Sequence, residues 1–349
     1  MKTVIAAILI FSASLLNAQI GGKNTYEFLD LPNSARVASL GGNALALCDG
    51  DINMVFHNPS LLNESMDNHV VANYVNYFSD INFGYAAYAK KFKKFGMLGF
   101  GIHYINYGDF VRADETSAIL GNFKASEQSL NVSWAKPLDS LFSVGATAKI
   151  IYSALDSYFS AGMVFDAGAT YYNSKKLFGA AVVLKNFGTQ FKSYTKGNYE
   201  PMPMDIQLGF SKKLRYAPFR FSVTAQNLLR WDMSYINTNE PDESVDPLTG
   251  EPIKENKLEK RADNFMKHFI LGSELIMSKN FFIRLGYNYQ RRSELKISTR
   301  AFTVGFSWGF GFRINKFHFS YGRATYHLAG PSNHFSISTS LSDFMKKAE

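Results

Sequence analysis

Between Phe302 and Phe312 the chain alternates without a break. Phe302, Val304, Phe306, Trp308, Phe310 and Phe312 form one set of positions, and Thr303, Gly305, Ser307, Gly309 and Gly311 the other. A period of two belongs to a β-strand, whose successive side chains point to opposite faces. The pattern returns at Phe281, Ile283, Leu285, Tyr287 and Tyr289, and again at Phe142, Val144, Ala146, Ala148, Ile150 and Tyr152. A soluble sandwich also alternates, but its polar face is usually charged, whereas this one is rich in Gly and Ser. Strands with a greasy outer face and a small, polar inner face are therefore predicted.

Fourteen such segments can be marked: 68–78, 81–90, 95–107, 126–137, 141–153, 158–172, 177–187, 203–214, 218–230, 265–277, 281–291, 298–313, 316–326 and 333–344. Each is long enough to cross a bilayer at a tilt, for which about 9 to 11 residues suffice. Links after even-numbered segments are short, and the long ones, 108–125, 188–202 and 231–264, all follow odd-numbered segments. Tight turns at one end and long loops at the other characterise an outer-membrane barrel. The predicted fold is all-β, a 14-stranded antiparallel transmembrane β-barrel over 68–349.

Composition narrows the alternatives. Of 349 residues 46% are apolar and 15% aromatic, which excludes a disordered chain, and the single cysteine, Cys48, excludes a disulfide scaffold. The opening MKTVIAAILIFSASLLNA reads as a signal peptide cleaved after Ala18, since Lys2 precedes an apolar stretch that ends in small residues. Losing Lys2 takes the net charge from +8 to one unit less. On an exported chain such a balance suits anionic outer-membrane lipid or lipopolysaccharide rather than nucleic acid.

Residues 19–67 have no strand pattern. They hold Pro32, a cap at Asn33 or Ser34, and a short helix through Leu40 that Gly41-Gly42 stop. A segment of this length before a large barrel is expected to fold into the lumen as a plug. Lumen-side glycines are its expected bed: Gly84, Gly99, Gly101, Gly145, Gly162, Gly179, Gly209, Gly272, Gly286, Gly305, Gly309 and Gly322.

The run from Tyr26 through Leu29, Pro32, Ser34, Ala35 and Arg36 to Gly41-Gly42, then Asp49-Gly50-Asp51 and Asn58-Pro59, resembles the opening of the PorV/PorQ outer-membrane proteins of the type IX secretion system. These are distant relatives of the FadL fatty-acid transporters. In that family Ala typically follows the Asn-Pro, and here Ser60 stands there. The resemblance implies a barrel with an N-terminal hatch and a place in the cell-surface attachment machinery. Its partners would be a PorZ-like surface protein, a PorU-like sortase-type peptidase and a PorV-like barrel. It implies no catalytic residue.

The long loop carries acids at Glu240, Asp242, Glu243, Asp246 and Glu251, a candidate docking stretch. Gly305 to Gly309 spells G-x-S-x-G, but that chemistry needs a sharp strand-to-helix turn, and Ser307 lies mid-strand. His318, on the next strand, is the corresponding decoy base. Metal spacing among the seven histidines is absent, so neither metal nor cofactor is expected. The alternative function is a FadL-type transporter of hydrophobic small molecules. It would need a greasy path through the lumen, whereas the inward faces read as Gly, Ser, Thr, Asn and Arg.

Overall fold

The structure is a computed structural model that describes residues 24–233, 257–295, 304–327 and 330–345. Fourteen antiparallel strands close into a barrel, each hydrogen-bonded to its neighbours in sequence, with β1 sealing against β14. They are β1 His69–Asn76, β2 Asn82–Phe92, β3 Gly96–Ala113, β4 Ile119–Pro137, β5 Phe142–Leu155, β6 Tyr158–Asn173 and β7 Phe178–Lys192. The second half comprises β8 Asp205–Lys213, β9 Phe219–Ala225, β10 Phe269–Ile276, β11 Phe281–Asn288, β12 Phe306–Ile314, β13 Phe317–His327 and β14 Gly330–Ser340. Closure leaves no unpaired edge, a condition for sheet in hydrocarbon.

Every predicted strand exists, and several boundaries move: β7 runs on to Lys192, β9 ends at Ala225, and β10 begins at Phe269 after a helix that takes in 265–267. The link expected over 108–125 is mostly strand, because β3 and β4 continue as a hairpin beyond the wall to a turn at 114–118. Both faces of that extension are exposed, so no burial alternation marks it. Residues 289–291 are the start of a helix, not the end of β11, since Asn288 caps Tyr289–Glu294 by accepting from the Arg291 amide. Residues 298–303 lie outside the described residues, and β12 begins only at Phe306. The signal peptide and the acids Glu240, Asp242, Glu243, Asp246 and Glu251 also lie outside them.

The outer face is apolar. Ile102, Leu130 and Ile150 sit opposite one another across β3, β4 and β5, each about half exposed, while Trp134 and Phe142 lie nearer the short turns. That is the aliphatic band and aromatic girdle of a lipid-facing wall. The inner face departs from the expected polarity on β1 to β6. There Val71, Val75, Phe83, Tyr85, Ile105, Ile151 and Val164 point inward and are buried. They face Phe28, Leu29, Phe56 and Leu62 of the N-terminal segment, so apolar side chains inside the barrel have apolar partners. Val304, expected on the greasy face, is buried in the turn before β12.

Residues 26 to 62 occupy the lumen. Ser34 caps the helix α1, Ala35–Ser39, by accepting from the Val37 amide. Gly41 and Gly42 end it at φ 97° and 102°, a left-handed pair that glycine alone adopts without strain. Asn33 does not cap; its amide donates to the Asn53 carbonyl and its oxygen meets His57 Nε2, both at 3.0 Å. Inward glycines bed the segment. A Cβ on Gly145 would lie 2.6 Å from the Pro59 carbonyl, one on Gly209 2.6 Å from Leu45 Cβ, and those on Gly286, Gly309 and Gly322 closer still to 35–41. Gly84, Gly101 and Gly305 are exceptions. Gly84, between the inward Phe83 and Tyr85 and opposite the exposed Tyr74, has the outward parity and not the expected lumenal one; Gly101 faces the Tyr85 ring, and Gly305 is a turn residue at φ 82° against Arg292.

Candidate functional site

Arg36, on α1, is buried where β9, β10 and β11 carry charges on their inward faces. Its guanidinium bonds Glu274 through Nε and Nη2 at 2.9 Å each, Asp49 at 2.6 and 3.0 Å, and Asp51 at 3.0 Å. Arg220 and Arg284 complete the cage, each 3.0 Å from a Glu274 oxygen, and Arg220 also bonds Asp49 at 2.5 Å. Three guanidinium groups face three carboxylates, so the cluster is neutral and its buried charges are compensated. Burial alone would raise the Asp49 carboxyl; Arg36 and Arg220 outweigh it and hold the group well below the usual carboxylate range. Burial, with Asp49 adding to it, pushes the neighbouring Cys48 thiol up to about 12.

A second fastening lies at Asn58-Pro59-Ser60. Asn58 donates to the Leu45 carbonyl at 2.7 Å and to Thr170 on β6 at 2.9 Å, while its oxygen accepts from the Ser60 amide and hydroxyl. Ser60 also meets Thr170 at 2.6 Å, a bond that an alanine at this position could not make. Phe56 inserts its ring near two lysines, Lys149 Nζ at 5.0 Å and Lys185 Nζ at 5.5 Å from the centroid. Lys149 is paired with Asp166 at 2.7 Å, both fully buried.

Between the segment and β3 to β6, at the short-turn end, lies a cavity of about 850 Å³. Leu61, Leu62, Phe95, Met97, Trp134 and Pro137 supply its apolar part, Ser60, Asn63, Ser65, Ser143, Thr170 and Tyr172 its polar part, and Asp49, Glu64, Lys94 and Lys136 bring charges of both signs to the lining. Above it an apolar column continues along β1 to β3, joined by Ile151 of β5 and Val164 of β6 and flanked by the buried Lys149–Asp166 pair. His103 sits between Phe56 and Phe28, with ring centroids 5.1 and 5.4 Å away, and Phe28 packs among Ile105, Ile151 and Met202 towards the long-loop end.

The structure thus gathers the motif residues into one body. Tyr26 bonds Ser160, Leu29 and Pro32 are buried, the Ala35 amide donates to Ser336 at 2.9 Å, and the Gly41 carbonyl accepts from Asn288 at 3.1 Å. The decoy pair separates. Ser307 donates to the Ser39 carbonyl at 3.0 Å and stands opposite Ala324, six residues along β13 from His318, or about 20 Å of strand. Sequence reading missed the ion cage, although Arg220, Glu274 and Arg284 were visible as charges on the polar face of three consecutive strands. Among the described residues no group of three or more His, Cys, Asp or Glu could hold a metal.

No family model matches the sequence, and no curated protein matches it. Solved structures do match. The toluene transporter TbuX of Ralstonia pickettii superposes with a TM-score of 0.51 at 11% identity, covering 89% of this chain and 97% of its own. The toluene transporter TodX of Pseudomonas putida gives 0.49 at 11% identity, with 88% and 96% covered. A FadL homologue of Pseudomonas aeruginosa gives 0.45 at 11%, with 88% and 97% covered. At such identity the likeness speaks for architecture alone: the fold is that of a FadL-type outer-membrane barrel.

Proposed function

We propose that this chain is an outer-membrane barrel of the FadL type that takes a hydrophobic small molecule into the cavity between its N-terminal segment and strands β3 to β6. The observation that carries this reading is that cavity, whose 850 Å³ falls within the span of small-molecule sites and whose apolar patch of Leu61, Leu62, Met97 and Pro137 is bordered by polar and charged groups. The apolar column above it supplies the greasy sector that the sequence did not reveal. Passage requires the segment to shift as a hatch, and the Arg36 cage is its lock. Export by the leader over 1–18 belongs to the same reading. The test uses detergent-purified protein and the fluorescent probe N-phenyl-1-naphthylamine. Binding should saturate and weaken at least tenfold in Leu62→Trp, which fills the cavity, with the heat-modifiable fold kept. Unsaturable binding would sink the reading.

A second reading, attachment within a type IX secretion complex, is favoured by a different observation. The residues that carry the PorV/PorQ resemblance, and PorQ most closely, are those that immobilise the segment: Arg36 in the cage, Asn58 on Thr170, Gly41 under Asn288. A barrel fastened shut suits a scaffold holding a PorZ-like surface protein beside a PorU-like peptidase and a PorV-like barrel. Glu240, Asp242, Glu243, Asp246 and Glu251 would then be docking residues. Cross-linking in native outer membranes should recover those three partners. Recovery of none of them, together with saturable probe binding, decides for the first reading.

A further inference from the structure

The ion cage has a second side. Beneath it, at the short-turn end, lies a separate cavity of about 290 Å³ whose lining includes Arg36, Asp51 and Glu274 of the cage and then three further cations, Lys279, Arg313 and Lys316. The cage is neutral within itself, so its members add no net field. The rim is not neutral. Asp343 is the one carboxylate lining it beyond the cage among the described residues, which leaves cations in excess.

Register places these groups side by side. Arg313 stands opposite His318, and His318 opposite Ser338, so β12, β13 and β14 present a guanidinium, an imidazole and a hydroxyl in one inward row. The Arg313 amide bonds the Asn280 carbonyl, which brings the turn that bears Lys279 against that row. Arg313 uses Nε on the Asn315 carbonyl at 3.2 Å, and Lys316 donates to the Asp343 carbonyl at 2.5 Å. Among the described residues none of these three cations is paired with a carboxylate. Lysine and arginine donors converging with hydroxyl groups on a small recess match an anion with several oxygens, because each oxygen accepts from a different side.

We propose that this recess is a binding site for a phosphate-class anion, held by Lys279, Arg313 and Lys316 with His318 and Ser338. The group can belong to a soluble phosphate or to a lipid headgroup at the same membrane face. The recess meets the larger cavity only at Asp49 and Gly50, and the proposed anion ligands line the recess alone, so the site does not depend on what that cavity takes.

The experiment is calorimetric titration of the detergent-purified full chain in chloride buffer, in two arms. One arm uses inorganic phosphate, the other dihexanoyl phosphatidic acid below its micelle concentration. Saturable one-site binding in either arm supports the site: phosphate binding assigns a soluble anion, and binding of the lipid alone assigns a headgroup. Affinity should fall at least tenfold in Arg313→Gln/Lys316→Gln and several-fold in Lys279→Gln, whose turn position spares the wall. Lys212→Gln, a cation near the end of β8 and outside the recess, should bind as the parent does. Absence of saturable binding in both arms overturns the proposal, as does equal affinity in Lys279→Gln and the double variant.

Discussion

Arg36 and Glu274, 238 positions apart in the chain, meet through two parallel hydrogen bonds of 2.9 Å, Nε to Oε1 and Nη2 to Oε2. One residue belongs to the lumenal segment and the other to the wall, so the pair is a direct tie between them. A planar fork holds a carboxylate at two points, which an ammonium cannot do. Arg36→Met should therefore leave buried carboxylates uncompensated and cost about 3 to 5 kcal/mol. Arg36→Lys should recover only part of it. Limited proteolysis of residues 24–62 reads the effect; equal resistance in all three proteins would contradict the tie.

Acid should test the same cage. Because Asp49 is held below its ordinary value in the folded state, its contribution is complete above the unfolded carboxylate value of about 3.9 and disappears only as pH falls well below it. Protease protection of the segment, measured by brief acid exposure and return, should match at pH 7 and pH 5. A loss centred near pH 6 would point to a different group.

Cys48 offers a probe of segment position. Its thiol, pushed up to about 12 and half-buried, should react slowly with maleimide at pH 8. In Arg36→Met the rate should rise several-fold as the segment loosens. A fast parent reaction would show that the lumen is open at this end.

Two glycines four residues apart should behave differently. Gly309→Leu places a side chain against Ser39 and against the Tyr321 carbonyl of β13, and should expose the segment to protease while also straining the β12–β13 pairing. Gly305 sits in a turn at φ 82° beside Arg292, so Gly305→Leu should strain the approach to β12 and leave the segment protected. Identical digestion patterns would refute the distinction.

On the wall, Leu285→Arg should cost about 2 to 4 kcal/mol if the residue lies near the bilayer midplane, for it is 59% exposed on the outer face of β11. Ser307→Arg is not the mild control that a roomy lumen would make it. Ser307 is 4% exposed and bonded to Ser39, so that change should displace α1 instead. Unfolding midpoints in urea and the proteolysis pattern separate the two outcomes.

The strands were legible because each wall residue meets one of two contrasting surroundings, and the chain records that contrast every second position. Where the contrast fails, so does the reading. The β3 and β4 extension is exposed on both faces, and on β1 to β6 both faces carry apolar residues, since Phe28 and Phe56 cover Ile105 and Tyr85 from within. Lumenal glycines were legible by their parity, yet their partners were not, because Gly286 and Gly41 come together only when the barrel is closed. The anion recess was hidden for the same reason: Arg313, His318 and Ser338 line up through register across three strands.

The closing seam puts an order on biogenesis. β1 follows the N-terminal segment directly and pairs with β14, the last strand to be synthesised. The cylinder cannot be completed until the chain has been made through β14. Once complete, the wall meets the segment at the glycine backbones of β5, β8, β11, β12 and β13, which leaves no clearance at those points for threading the segment in. The segment must therefore be enclosed as the sheet curls round it, a mandrel on which the circumference is gauged before the seam is joined.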